Sequence, residues 1–155
     1  MSKIADLLTE ELIISNIASR DKHGVLREFA ELLYRAGKVN DVALVEDVLA
    51  RREALGSTGI GDGIAIPHGK LAGLREIILA FGVSRDGVEF EALDGKPSHI
   101  FFLLVAPEDA PSEHLKALAR ISRLLKSSMF REDLMVLTDS KGLLRRIVLE
   151  EEDLA

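Results

Sequence analysis

Two uninterrupted apolar runs, IILAFGV (Ile77 to Val83) and IFFLLVA (Ile100 to Ala106), constrain this chain more than anything else in it. Each has the length of a strand, and neither shows the polar alternation of a strand with one wet face. Strands of that kind lie inside a sheet that is covered on both sides. The remaining sequence supplies the cover. A helix starts near Ser19 or Asp21, gathers Val25, Leu26, Phe29, Leu32, Leu33 and Ala36 on one face, and stops at Gly37. Asn40 or Asp41 caps a second helix with the stripe Val42, Val45, Val48, Leu49 and Leu55, and Gly56 ends it. DAPS (Asp109 to Ser112) opens a third over about 112–127, and two more are predicted over 129–137 and 141–150. LIISNI (Leu12 to Ile17) leans toward a strand. VEFEAL (Val88 to Leu93) alternates apolar and acidic residues, which predicts an edge or half-exposed strand, and LDGKP is a turn. Strands grouped between two sets of helices imply an α/β protein with a mixed sheet and helices on both faces, not an alternating dinucleotide-binding order.

Bulk properties narrow the function. The 155 residues suit one domain over 1–155. With 20 basic against 26 acidic side chains the net charge is -6, which argues against nucleic-acid binding through phosphates. The absence of cysteine removes disulfides, thiolate nucleophiles and cysteine-based metal sites. No apolar run approaches the roughly 18–20 residues that span a bilayer, and the acidic residues within the N-terminal apolar stretch do not suit a signal peptide. The expectation is a cytoplasmic protein without membrane insertion. The C-terminal LEEEDLA reads as an acidic, solvated end.

One stretch resists a bland description: GIGDGIAIPHGK, Gly59 to Lys70. Its glycines stand at 59, 61 and 63, so the third comes one residue early for G-x-G-x-x-G, and the order helix then strand is the reverse of a dinucleotide site. Gly69-Lys70 resembles the end of a P-loop, but Ile64 and Leu71 stand where that motif needs Gly and Ser or Thr. The glycines alone predict a tight, positive-φ connection. Pro67 cannot donate to a ladder, so the strand Gly63–Ile66 ends there and His68 falls at its C-terminal tip, where ligands collect in open α/β sheets. A histidine there, near Ser57, Thr58 and Asp62, is either a capped loop residue or a nucleophile.

Two further residues point the same way. His114 begins the stripe His114, Leu118, Ile121, Leu125 at the N-terminal end of the third helix. The helix dipole there disfavours a cation, so His114 is expected as a neutral imidazole, buried for packing or for chemistry. Arg52 continues the stripe of Val45 and Val48 and tips toward the core. Its guanidinium needs an anion, either Glu46, Glu53 or Asp62 or a ligand. His23 and His99 lack such context and are assigned to the surface or to capping. Four scattered histidines without ligand-like spacing give no metal site.

Together, RREALGSTGIGDGIAIPHGK (Arg51 to Lys70) and SEHLKALARISRLL (Ser112 to Leu125) resemble the mannitol/fructose-class enzyme IIA domain of the bacterial phosphoenolpyruvate-dependent phosphotransferase system. The resemblance covers nearly the whole chain, and LGSTGIGDGIAIPHGK is more similar to the nitrogen-regulatory branch than to sugar-specific members. It implies a three-layer α/β/α sandwich. It implies that His68 is the phosphorylated histidine, charged by a small histidine-containing phosphocarrier protein. His114 matches the second active-site histidine and Arg52 the active-site arginine. Asp62 stands where members carry Glu or Asn, which leaves its role open.

The chemistry that follows is phosphoryl relay without a metal or cofactor. A neutral imidazole is a nucleophile near pH 7 and forms a labile N–P bond. Arg52, the Ser57 and Thr58 hydroxyls and loop N–H groups would hold the phosphoryl oxygens, with His114 donating to one of them and Asp62 counted with Ser57 and Thr58 in the phosphoryl-binding loop. His68 is expected to attack through Nε2 while a backbone carbonyl holds Nδ1–H. Two roles compete: a sugar-specific component passing phosphoryl to a IIB domain, and a regulatory module whose phosphorylation switches its affinity for a target protein. The branch resemblance, and the lack of a IIB or IIC segment in this sequence, favour the regulatory role.

Overall fold

A computed structural model describes residues 3–154. The two apolar runs form the sheet's centre. β5 (Ile78–Val88) and β6 (Ser98–Pro107) pair antiparallel, and β6 is buried along almost its whole length. Facing rings lock this pair: Phe81 and Phe102 lie 4.8 Å apart between centroids. Around it stand the short strands β1 (Ile13–Ile14), β2 (Gly59–Gly61), β3 (Ile64–Ala65) and β4 (His68–Leu71). The order is β1-β5-β6-β3-β2, and β4 follows β3 along β6. β1, β3 and β4 run parallel to their partners and β2 antiparallel, so the sheet is mixed.

Helices cover both faces, giving the three-layer α/β/α arrangement. α1 (Ile4–Leu7) and a 3-10 turn (Glu10–Leu12) precede β1. α2 (Lys22–Arg35) and α3 (Val42–Ala54) pack against each other and on β5 and β4. Asp21 and Asp41 cap them, each carboxylate accepting the N–H three residues on. α4 (Pro111–Leu124), α5 (Ser128–Val136) and α6 (Ser140–Asp153) follow β6, with α4 and α5 packed against it. No helix among the described residues is long and apolar enough to cross a membrane.

Three expectations give way here. VEFEAL does not form its own strand; β5 instead runs on through Ser84–Val88 across a register break, and Phe90 turns into the core against Phe101. Leu55 does not extend the buried stripe of α3: it caps the helix with 84% of its surface exposed, and Glu53 is buried in that turn. The acidic C-terminus is not simply solvated. It continues α6, where buried Glu151 accepts the N–H groups of Ile4 and Ala5 and faces Arg120; Ala155 lies outside the described residues.

Candidate functional site

The break at Pro67 builds the site. β3 stops at Ala65, and the chain rejoins β6 as β4, so that His68 opens a strand opposite Leu104 in the middle of β6. His68 is therefore not at the C-terminal tip of a strand, as the proline alone suggested. A ring without N–H interrupts the ladder for two residues, and pairing resumes at once. Within β4 the residues alternate faces. Gly69 points at α3, so closely that a Cβ there would lie 2.7 Å from Val48 Cγ1. His68 and Lys70 point the other way.

On that side His114 meets His68. Their rings stand edge to face, 5.3 Å between centroids and 84° between planes. His114 is buried on the first turns of α4, and its Nε2 has no hydrogen-bond partner among the described residues. A buried polar nitrogen without a partner is uncommon, and this one belongs to the ring packed against His68. Burial keeps the His114 pKa below its ordinary 6.5, and the nearby His68 and Lys70 push it the same way.

Arg52, in the last turn of α3, reaches the same ring. Its Nε donates to His68 Nε2 over 3.3 Å and its Nη1 to the Gly56 carbonyl over 2.9 Å. His68 Nδ1 lies 2.8 Å from the Ile66 carbonyl. A carbonyl only accepts and an Arg N–H only donates, so this pair of contacts selects one tautomer: hydrogen on Nδ1, lone pair on Nε2. Burial of the half-buried ring lowers the His68 pKa; the Ile66 carbonyl opposes this, Arg52 adds to it, and Glu53 opposes it more weakly. Arg52 makes no ion pair with Glu46, Glu53 or Asp62.

The other sequence candidates sit differently. Ser57 Oγ donates to the Phe90 carbonyl and accepts from Gly59 N, over 2.9 and 3.0 Å. Thr58 is buried, with both its N–H and its hydroxyl on the Glu53 carboxylate. Both hydroxyls are thus committed to the protein and hold the loop rather than stand open beside His68. Asp62 is not brought to the site. It occupies the tip of the β2–β3 hairpin at φ 57°, exposed, with its N–H on Asp94 Oδ2. From the register, Ile64 opposite Ile100 and His68 opposite Leu104, four residues or about 13 Å of strand separate that end from His68. His23 is exposed; His99 packs under the β5 irregularity with Nδ1 2.9 Å from the Ser84 carbonyl. Sequence reasoning did not single out Lys22, which ion-pairs Glu53 over 3.0 Å while nearly buried itself.

Fold and site define an α/β protein in which a guanidinium and a second imidazole converge on one histidine ring. The chain belongs to the EIIA 2 family of the phosphoenolpyruvate-dependent sugar phosphotransferase system, whose pattern matches residues 6–149. It is 45% identical over 133 residues to the fructose-specific EIIABC component of Bacillus subtilis, covering 86% of this chain but only 21% of that longer protein. It is 40% identical over 140 residues to a nitrogen regulatory protein of Bradyrhizobium diazoefficiens, covering 90% of this chain and 91% of that one. Among solved structures, the nitrogen regulatory protein IIA-Ntr of Neisseria meningitidis superposes with a TM-score of 0.87 at 35% identity, over 94% of this chain and 99% of its own.

Proposed function

We propose that this protein is a phosphohistidine carrier, with His68 Nε2 as the acceptor. The observation that carries the reading is the pair of hydrogen bonds on that ring: Nδ1 tied to the Ile66 carbonyl and Nε2 accepting from the Arg52 N–H. In the transfer, the Nε2 lone pair attacks phosphorus in line and the N–P bond forms as the donor's N–P bond breaks. The donor imidazole leaves with the electron pair, and Nδ1–H stays on the Ile66 carbonyl, which stabilises the positive charge growing on the ring. Arg52 shifts its N–H donors from Nε2 to the phosphoryl oxygens, and His114 Nε2 gains the partner it lacks by donating to one of them.

The donor we infer is the phosphohistidine of a small histidine-containing phosphocarrier protein in the cytoplasm. Two exposed aliphatic side chains, Leu55 after Arg52 and Leu115 after His114, flank the site as docking contacts. Incubation with phosphoenolpyruvate, enzyme I and the phosphocarrier labels the wild type with acid-labile phosphate and leaves His68→Ala unlabelled. Equal labelling of the two contradicts the reading.

Downstream, the reading is regulatory: phosphate on His68 changes the charge of a surface that a target protein reads. Near end-to-end similarity to nitrogen regulatory proteins supports it. The 45% identity to a fructose-specific component favours a second reading, transfer to a IIB domain. Phosphorylated protein mixed with a purified fructose-type IIB domain separates them: retention of the label supports regulation, and rapid passage to IIB supports sugar transport.

A further inference from the structure

Close to the phosphoryl site, the described contacts include a buried charged cluster that the phosphoryl chemistry does not use. Glu53 follows Arg52 in the last turn of α3, yet its side chain turns inward and is buried. Its carboxylate accepts the Thr58 N–H over 3.1 Å and the Thr58 hydroxyl. Lys22, from the first turn of α2, pairs with it over 3.0 Å. The Lys22 ammonium also lies 4.9 Å from the Phe90 ring centroid and 3.2 Å from Glu91. Ser57 ties the same loop to the Phe90 carbonyl. A buried ion pair gains little net stability over apolar residues of the same volume. What this one does is fix geometry. It clamps Thr58 back onto α3, which sets the path of residues 55–57 and so the Gly56 carbonyl on which Arg52 Nη1 rests.

We propose that Glu53, neutralised by Lys22, is the positioning residue of the phosphoryl site: by closing the 54–58 turn it holds the Gly56 carbonyl, and through it Arg52, against His68. The linkage runs from Lys22 through Glu53 to Thr58 by side-chain contact, then along the backbone to Gly56, whose carbonyl holds Arg52 beside His68. None of the first three touches the reacting nitrogen. The inference rests on the reading of His68 as acceptor for its kinetic part only; its structural part concerns Arg52 and needs no donor.

Glu53→Gln is the test. It keeps an oxygen for the Thr58 N–H and loses the charge that holds Lys22. Thr58→Val, which keeps the N–H and loses the hydroxyl, is the second variant should the first fail to fold. Nitrogen-15 NMR of the unphosphorylated protein follows the Arg52 Nε–H signal and the His68 titration. The expected result is that the Arg52 Nε–H loses its protection from exchange. His68 then titrates at higher pH than in the wild type, because the departing guanidinium outweighs the lost carboxylate. With the phosphocarrier as donor, the rate of labelling falls about tenfold or more while the KM for the donor stays within a factor of about two, as for a misplaced group rather than a lost docking contact. An unchanged Arg52 signal overturns the inference, whether His68 titrates at the same pH or, from loss of the carboxylate's field alone, at a lower one. A wild-type labelling rate overturns it as well. Failure of His68 itself to be labelled leaves the NMR result standing and refutes the carrier reading instead.

Discussion

Arg52 Nε donates to His68 Nε2 across 3.3 Å, so the nitrogen assigned to receive phosphorus is the one the guanidinium already faces. The same contact holds the Arg52 side chain where phosphoryl oxygens would arrive. Arg52→Ala is expected to fold, since the side chain is only half-buried and makes no ion pair among the described residues. Its phosphorylation rate should drop by about 10²-fold or more, the loss of a preorganised charged donor. Arg52→Lys keeps the charge but not the planar fork and should recover only part of that rate. Single-turnover labelling measures both, and a wild-type rate in Arg52→Ala removes Arg52 from the mechanism.

The pH dependence has a definite sign. Both His68 and His114 have folded-state pKa values below the ordinary 6.5, chiefly through burial. Below that value the unfolded chain binds more protons at these positions than the folded one, so stability rises with pH through the window just beneath 6.5 and is lost on acidification. The same shift favours the unprotonated Nε2. Imidazole NMR titrations should place both midpoints under 6.5, and urea midpoints should fall from pH 7.5 to pH 5.5 less steeply in His114→Phe than in the wild type.

At Gly69, β4 packs directly on α3. A methyl group there meets Val48 Cγ1 at 2.7 Å, so Gly69→Ala has to push the strand and helix apart. The expected loss is about 1–3 kcal/mol of unfolding free energy, typical of overpacking. Because His68 is the preceding residue, labelling should slow as well. Chemical denaturation tests the first effect, and a variant as stable as the wild type would show that α3 yields more easily than this packing implies.

Leu55 and Leu115 are 84% and 68% exposed, so their replacement by Glu should move stability by no more than about 0.5 kcal/mol. If they form the rim on which the donor docks, each change raises the KM for the phosphocarrier several-fold with kcat nearly kept. Steady-state labelling against donor concentration distinguishes this from a defect in chemistry.

Much of this could be read in the residues. The unbroken apolar runs at Ile77 and Ile100 foretold the buried central strands, because only strands covered on both faces dispense with alternation. Asp21 and Asp41 foretold their helices through local capping chemistry, and the stripe from His114 foretold which way that imidazole faces. What stayed hidden depends on contacts distant in sequence. HGKL has no pattern that marks it as a strand; it pairs because β6 offers a free edge beyond Pro67. The apolar run stops at Val83, yet the strand continues through Ser84–Val88 across an irregularity that the polar residues there do not announce. Asp62 looked like a site residue by its place in the glycine stretch, but the hairpin carries it to the far end of β3. Glu53 reads as a possible partner for Arg52, and only the packing of α2 on α3 shows that its partner is Lys22.

The central claim is that phosphorus bonds to Nε2 of His68 while Nδ1–H stays on the Ile66 carbonyl. Phosphorus-31 and nitrogen-15 NMR of the freshly phosphorylated protein, labelled at its histidines, reads it directly. The account predicts one phosphorus signal coupled to Nε2 of His68, absent in His68→Ala. Coupling to Nδ1 of His68, or to any nitrogen of His114, would contradict it.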